Sequence, residues 1–328
     1  IHVQGEVSKQ LLANLTELQY IWHKWCPKDF HLINITADEV TNIHSPQNDN
    51  AIVAFSGGVD AQFSTYRHAT KQAGYATKNL KAGILIHGFD ILLDDEKSFN
   101  VAKNKAKLTL DDLQVKLFTV STNIRELWDL NWEMYCGTAI ASVLNGFQKY
   151  AQFALIGSGE AYDALVSPWG SHPLTDPLTS SQNFTIIHDG AGFNRTEKIQ
   201  FLSAWKIGIK NLRVCWAGDD LSKNCGKCEK CVRTRLNFAA SGLPDPECFD
   251  TPLTKSLLKP ILLRSDASKS EWQSIYQDIV KSNYGKEWLP DIKAVINRKP
   301  KPSLYFLFPH NSKRRELIKN AINKLKKQ

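Results

Sequence analysis

The chain has 328 residues, 42% hydrophobic and 23% charged, a composition that excludes disorder and a length that allows one large domain with an appendage or two domains. No run of about 18 apolar residues occurs, so no helical membrane span is expected, and the opening Ile1-His2-Val3-Gln4-Gly5 lacks the basic start and apolar core of a signal peptide. The formal net charge of +8 is unevenly placed: residues 293–328 carry eleven Lys or Arg and one acid, Glu316, which leaves the remainder at −2.

Residues 1–50 contain one strong helical pattern, 8–25, in which Leu11, Leu12, Leu15, Leu18, Ile21 and Trp22 recur at helical spacing. The polar run 45–50 reads as a loop. A fully apolar strand, 51–55, follows. Further strands are expected at 82–86, 115–120, 152–156 and 184–187, with helical patterns at 60–73, 96–108 and 136–150. Short buried strands alternating with helices predict an α/β fold with a doubly wound parallel sheet, whose ligands bind at the C-terminal strand ends. Pro244 and Pro246 mark a boundary, and a Pro-broken link falls at 299–302. The expected division is an N-terminal, largely helical extension (1–50), a nucleotide-binding domain with a metal module (51–250) and a basic helical C-terminal segment (251–328). That last segment could steer nucleic acid, although a solvated helix face accounts for it equally.

Between the strand at 51–55 and the following helix lies Ser56-Gly57-Gly58-Val59-Asp60. Two glycines let the backbone turn sharply and let a ligand approach. Successive N–H groups and the helix N-terminus then favour an anion. Ser56 offers a hydroxyl, and Asp60 makes sense at an anion site if Mg²⁺ bridges it to phosphate. No Walker A sequence occurs. The second motif is cysteine-rich: Cys215, Cys225, Cys228 and Cys231, spaced C-x₉-C-x₂-C-x₂-C, with Gly226 permitting a tight turn. Four thiolates suit tetrahedral Zn²⁺ in a closed, structural site; an iron–sulfur cluster uses similar ligands. Clustered thiols point to a metal site in a cytoplasmic protein rather than a disulfide scaffold. Cys26, Cys136 and Cys248 read as buried small hydrophobes.

The glycine turn resembles the PP-loop, S-G-G-x-D-S, of the ATP pyrophosphatase superfamily. Together with the late cysteine run, and with Arg233 close behind it, the pattern resembles 7-cyano-7-deazaguanine synthases over roughly residues 51–240. The resemblance implies ATP held by its pyrophosphate on Ser56, Gly57, Gly58, Val59 and Asp60, structural zinc on the four cysteines, and ligation of a carboxylate substrate with ammonia through an adenylate. It implies nucleotide or substrate contacts from Gly157, Glu160 and Asp163, with Asp176 of the Ser171–Pro177 stretch and Lys198 in catalysis and Arg195 beside it. His87 would lie near the adenosine, with Asp90 or Asp94 facing the site, although helix capping by Asp94 and Asp95 and loop capping by His172 and Asp176 are plainer accounts. The motif's last serine is Ala61 here, with Ser64 one turn later as a substitute. The alternatives are a tRNA-modifying, thiolase-like member of the superfamily, a sugar amidotransferase, and a nucleotide-binding protein impaired in turnover by Ala61. A homodimer is left open.

Overall fold

The fold was derived from a computed structural model that describes residues 1–42, 48–127, 131–215, 217, 218 and 220–299. The expected links at 45–47 and 300–302 and the basic stretch beyond them lie outside the described residues.

In chain order the elements are β1 (His2–Ser8), α1 (Lys9–Trp25), β2 (Thr36–Thr41), β3 (Asn50–Ala54), α2 (Val59–Ala69), β4 (Asn79–His87), α3 (Glu96–Asp112), β5 (Lys116–Ser121), α4 (Ile124–Leu127) and α5 (Trp132–Asn145). They continue as β6 (Phe153–Gly157), β7 (Thr185–Asp189), α6 (Arg195–Leu202), α7 (Lys206–Lys210), α8 (Glu229–Ala240), α9 (Asp266–Ser282) and α10 (Leu289–Ile296). Five strands form one sheet in the order β5-β4-β3-β6-β7, every neighbouring pair parallel. The chain winds from β3 outward through β4 to β5, then returns to β6 on the other side of β3. The switch between β3 and β6 opens a crevice at their C-terminal ends.

The sheet forms because its strands are apolar on both faces. Ile52, Ala82, Ile84, Ala154 and Ile156 pack on Ala141 and Leu144 of α5. Phe55 and Leu85 pack on Phe99, Ala102, Ala106 and Leu110 of α3. Phe63 of α2 joins Ile199 and Leu202 of α6 and the buried sulfurs of Cys215 and Cys231. A further core joins α8 to α9 and α10 through Leu236, Trp272, Ile275, Ile279 and Ile292.

The N-terminal region holds more than the expected helix. α1 is capped by Ser8, whose hydroxyl accepts from the Leu11 N–H at 3.1 Å, and β1 and β2 flank it as a separate parallel pair. Both strands are mostly exposed and rich in polar residues, so no apolar run marks them. Among the described residues, no helix is long and apolar enough to cross a membrane.

Candidate functional site

The link between β3 and α2 is held open by backbone conformation. Gly57 has φ +79°, and a Cβ there would lie 3.3 Å from the Arg213 Cβ. The Gly57 carbonyl accepts the Arg213 N–H at 2.9 Å, which docks the segment leading to Cys215 directly on the turn. The Ser56 hydroxyl accepts the Gly58 N–H at 3.3 Å. Gly157, ending β6, comes so close that a Cβ would lie 2.7 Å from the Asp60 carbonyl oxygen.

Two cavities meet at this turn. The larger, about 220 Å³, is mainly apolar and runs under the strand ends, with Phe89, Phe99 and Trp132 among its walls and Ser56, Asp60, Ala61 and Gly157 at its rim. The smaller, about 60 Å³, is bounded by Ser56, Gly58 and Val59, by the cations Arg195, Arg213 and Lys230, and by the carboxylates Asp60 and Asp90 that pair with two of them. Ala61 lines both cavities, so the missing motif hydroxyl is missing from the site itself.

Asp60 organises one wall. Its Oδ2 accepts from Arg195 Nη2 at 2.9 Å and its Oδ1 from Lys198 Nζ at 3.1 Å. Burial works to raise the Asp60 carboxyl; Arg195 and Lys198 outweigh it and hold the group below its usual range. Lys198 is nearly inaccessible, also donates to the Ser158 carbonyl, and lines neither cavity. The Lys198 ammonium, to which the resemblance gives a part in catalysis, is bonded to Asp60. Arg195 does reach the small cavity; its other arm, Nη1, pairs with Glu271 Oε1 of α9 at 3.0 Å, and Arg233 Nη1 meets the same oxygen at 2.9 Å. Glu160 sits beside this network, and burial pushes its carboxyl up to about 7.

Other expected site residues lie elsewhere. Ser64 is fully buried and lines neither cavity. Burial works to raise the nearby Asp189 carboxyl, and His68 foremost, with Arg67, holds it below the usual range; Ser64, lining neither cavity, is not placed where the motif serine would act. His87 is stacked on Phe99 at 4.0 Å and its Nε2 bonds the Leu92 carbonyl at 2.8 Å, which turns it into the wall behind the loop 88–92. Asp176 is buried away from the turn, where it accepts from Ser171 Oγ at 2.7 Å and pairs with His188 Nδ1 at 2.7 Å. Its observed role is to fix the 171–176 loop, as the loop-capping alternative anticipates. Asp163 is exposed and lines neither cavity. Of the loop acids, Asp90 faces both cavities, whereas Asp95 caps α3, accepting from the Ser98 N–H at 3.0 Å.

The four cysteines converge as their spacing predicts. Their Sγ atoms all lie within 4.8 Å of one another, with Cys215–Cys228 and Cys225–Cys231 both at 3.8 Å. Four thiolates on one tetrahedral ion, with metal–sulfur bonds of about 2.3 Å, sit about 3.8 Å apart, so the residues fit a single metal ion. Asn224 ties the module together: its side chain accepts from the N–H groups of Val214 and Cys215 at 2.9 and 3.2 Å and donates to the Leu212 carbonyl at 2.8 Å. Cys228 is also the N-cap of α8, and Cys215 lines the small cavity.

Three residues that the structure brings to the small cavity or to its cations were not singled out from sequence for the site: Arg213, Lys230 and Glu271. Lys230 stands between Cys228 and Cys231 and Arg213 two residues before Cys215, so their place beside the metal ligands was the available signal. Glu271 had none, because α9 is distant in sequence.

No protein-family model matches the chain, and no curated protein matches it. Among solved structures it is similar to the U34-tRNA thiolase NcsA from Methanococcus maripaludis, determined with its 4Fe–4S cluster: 12% identity, 88% of this chain and 80% of that chain covered, TM-score 0.36.

Proposed function

We propose that this protein is a PP-loop-type ATP-dependent ligase that activates a carboxylate-type substrate by adenylation and releases pyrophosphate. The observation that carries the reading is the junction of the two cavities at Ser56–Asp60: an apolar chamber for a purine ring on one side, a cation-lined recess for phosphates on the other. ATP lying across that junction places its α-phosphorus at the turn. The Ser56 hydroxyl, which accepts the Gly58 N–H and keeps its own proton to donate, and the α2 N-terminus would meet the phosphates, and the fixed cations would stabilise the charge that develops on the departing pyrophosphate. The substrate carboxylate attacks phosphorus, the bond to the pyrophosphate oxygen breaks, and ammonia then displaces AMP from the adenylate to form an amide.

Two cofactors fit this reading. Zinc on the four cysteines supplies cross-linking of the module rather than chemistry. Magnesium, carried by ATP, supplies charge neutralisation. Asp90, whose contact with Arg213 is a long 3.6 Å, is the freer carboxylate for it, since both oxygens of Asp60 are occupied by cations. In the tRNA-modifying alternative a cysteine outside the metal set would serve as sulfur carrier; of these, Cys136 lines the large cavity, where burial raises its thiol.

The test is pyrophosphate release from ATP across a panel of carboxylates, 7-carboxy-7-deazaguanine first, with ammonia present. Substrate-dependent release that Asp60→Asn abolishes, with metal content unchanged, is the expected result. ATP binding with no release for any carboxylate would instead support the impaired-turnover alternative, in which Ala61 is the cause.

A further inference from the structure

We propose that Arg213 and Lys230, carried by the cysteine module but neither of them a thiolate ligand or a residue of the glycine turn, are direct ligands of the pyrophosphate moiety. The inference rests on the ATP-binding reading above and adds to it which side chains hold the leaving group. Arg213 is about nine-tenths buried, with 10% of its side chain exposed, yet its Nε and Nη2 have no hydrogen-bond partner. Among the described residues its only ion pair, through Nη1 to Asp90, is 3.6 Å long. A guanidinium buried with two idle donors is costly unless an anion completes it. Arg213 lines both cavities, and Ser56 lines both with it, while Gly58 lines the smaller. Lys230 lines the same small recess, and among the described residues its ammonium makes no hydrogen bond or ion pair, although its backbone carbonyl accepts from the Thr234 hydroxyl at 2.8 Å. Arg195, the third cation there, is already divided between Asp60 and Glu271. The two cations with spare donors are therefore the two contributed by the module.

Their positions follow from how the module is built. The Arg213 N–H is bonded to the Gly57 carbonyl, and Asn224 holds the next two residues by their N–H groups. Lys230 is fixed in the first turn of α8, between Cys228 and Cys231. Four cysteines closing on one ion thus set the distance between a cation before the first ligand and a cation between the last two.

The experiment is calorimetric titration of the full-length, metal-loaded chain with inorganic pyrophosphate, comparing the unaltered protein with Arg213→Gln, Lys230→Gln and Lys227→Gln. Lys227 is an exposed cation of the same cysteine run that lines neither cavity. A charge-assisted hydrogen bond is worth enough that each of the first two changes should weaken binding about tenfold or more, with a shallower salt dependence, while Lys227→Gln stays within about twofold. Metal content and the circular dichroism spectrum confirm that each variant is folded. Arg213→Lys, which keeps the charge and loses the planar fork, should bind with intermediate strength and guards against a folding failure of the Gln variant. Binding by both Arg213 and Lys230 variants within twofold of the unaltered chain, or equal weakening by Lys227→Gln, overturns this assignment alone. No binding by the unaltered chain overturns the ATP-site reading together with it.

Discussion

At the residue scale, the site is governed by how buried charges are shared. Asp60 was legible as a site residue because its motif is local: five consecutive residues between a strand and a helix. The partners that decide its behaviour were not legible in that role. Arg195 and Lys198 entered as site residues only through the family resemblance, with Lys198 in catalysis and Arg195 beside it. Distance in three dimensions assigns Lys198 to Asp60 and leaves only Arg195 facing the recess. Glu160 makes the same point with a measurable consequence. Burial first, and then the nearby Glu271 carboxylate, push its carboxyl up to about 7. In the unfolded chain it titrates at roughly 4.3. A group whose folded pKa is raised stabilises the fold fully below the unfolded pKa, and that contribution is lost as pH rises through the folded value. Thermal stability should therefore decline between about pH 4.5 and 7 partly on account of Glu160. Glu160→Gln should flatten the curve of melting temperature against pH in that window, and an unchanged slope would refute the assignment.

At the element scale, legibility tracked burial. β3 and β6, at the centre of the sheet, were expected within a residue because they are buried and apolar; the edge strands β5 and β7 carry Lys116, Thr119, His188 and Asp189 and were found from shorter apolar runs. The parallel pair β1 and β2 escaped because its strands are largely solvated: Glu6, Asp38 and Glu39 give no alternation to detect. α5 was expected at 136–150 and runs Trp132–Asn145, since Asn131 caps it by accepting from the Glu133 N–H at 3.2 Å; asparagine before an aromatic residue is a weaker written signal than the apolar run behind it. What no pattern disclosed is how closely elements approach. Gly157 lets the end of β6 touch the backbone of Asp60, and Gly157→Ala would bring its Cβ to 2.7 Å from that carbonyl oxygen. Strand and helix must then part by several tenths of an ångström. The expected cost is about 1–3 kcal/mol of stability in denaturant unfolding, with weaker nucleotide binding because the turn shifts; a variant as stable as the parent would show the contact to be looser than described.

At the scale of the whole molecule, the cysteine module is the joint between the sheet and the C-terminal helices. Cys215 closes the segment bonded to the glycine turn, Cys228 caps α8, and α8 carries the packing of α9 and α10. Glu271 of α9 reaches back from that packing to Arg195 and Arg233, and Trp272 donates its indole N–H to Glu229 at 2.7 Å. A metal ion holding the four thiolates therefore acts on three regions at once, and its removal should be felt in all of them. Metal-binding energy at a four-thiolate site is largely folding energy, so chelation of the full chain should lower the melting temperature by more than about 10 °C. The module also carries Arg213 and Lys230, so pyrophosphate affinity should fall by at least the tenfold expected of losing either cation, and re-addition of zinc should restore both quantities together. Recovery of the melting temperature without recovery of pyrophosphate binding would separate the structural role of the ion from the placement of the two cations, and would assign that placement to the Gly57–Arg213 backbone bond and to Asn224 instead.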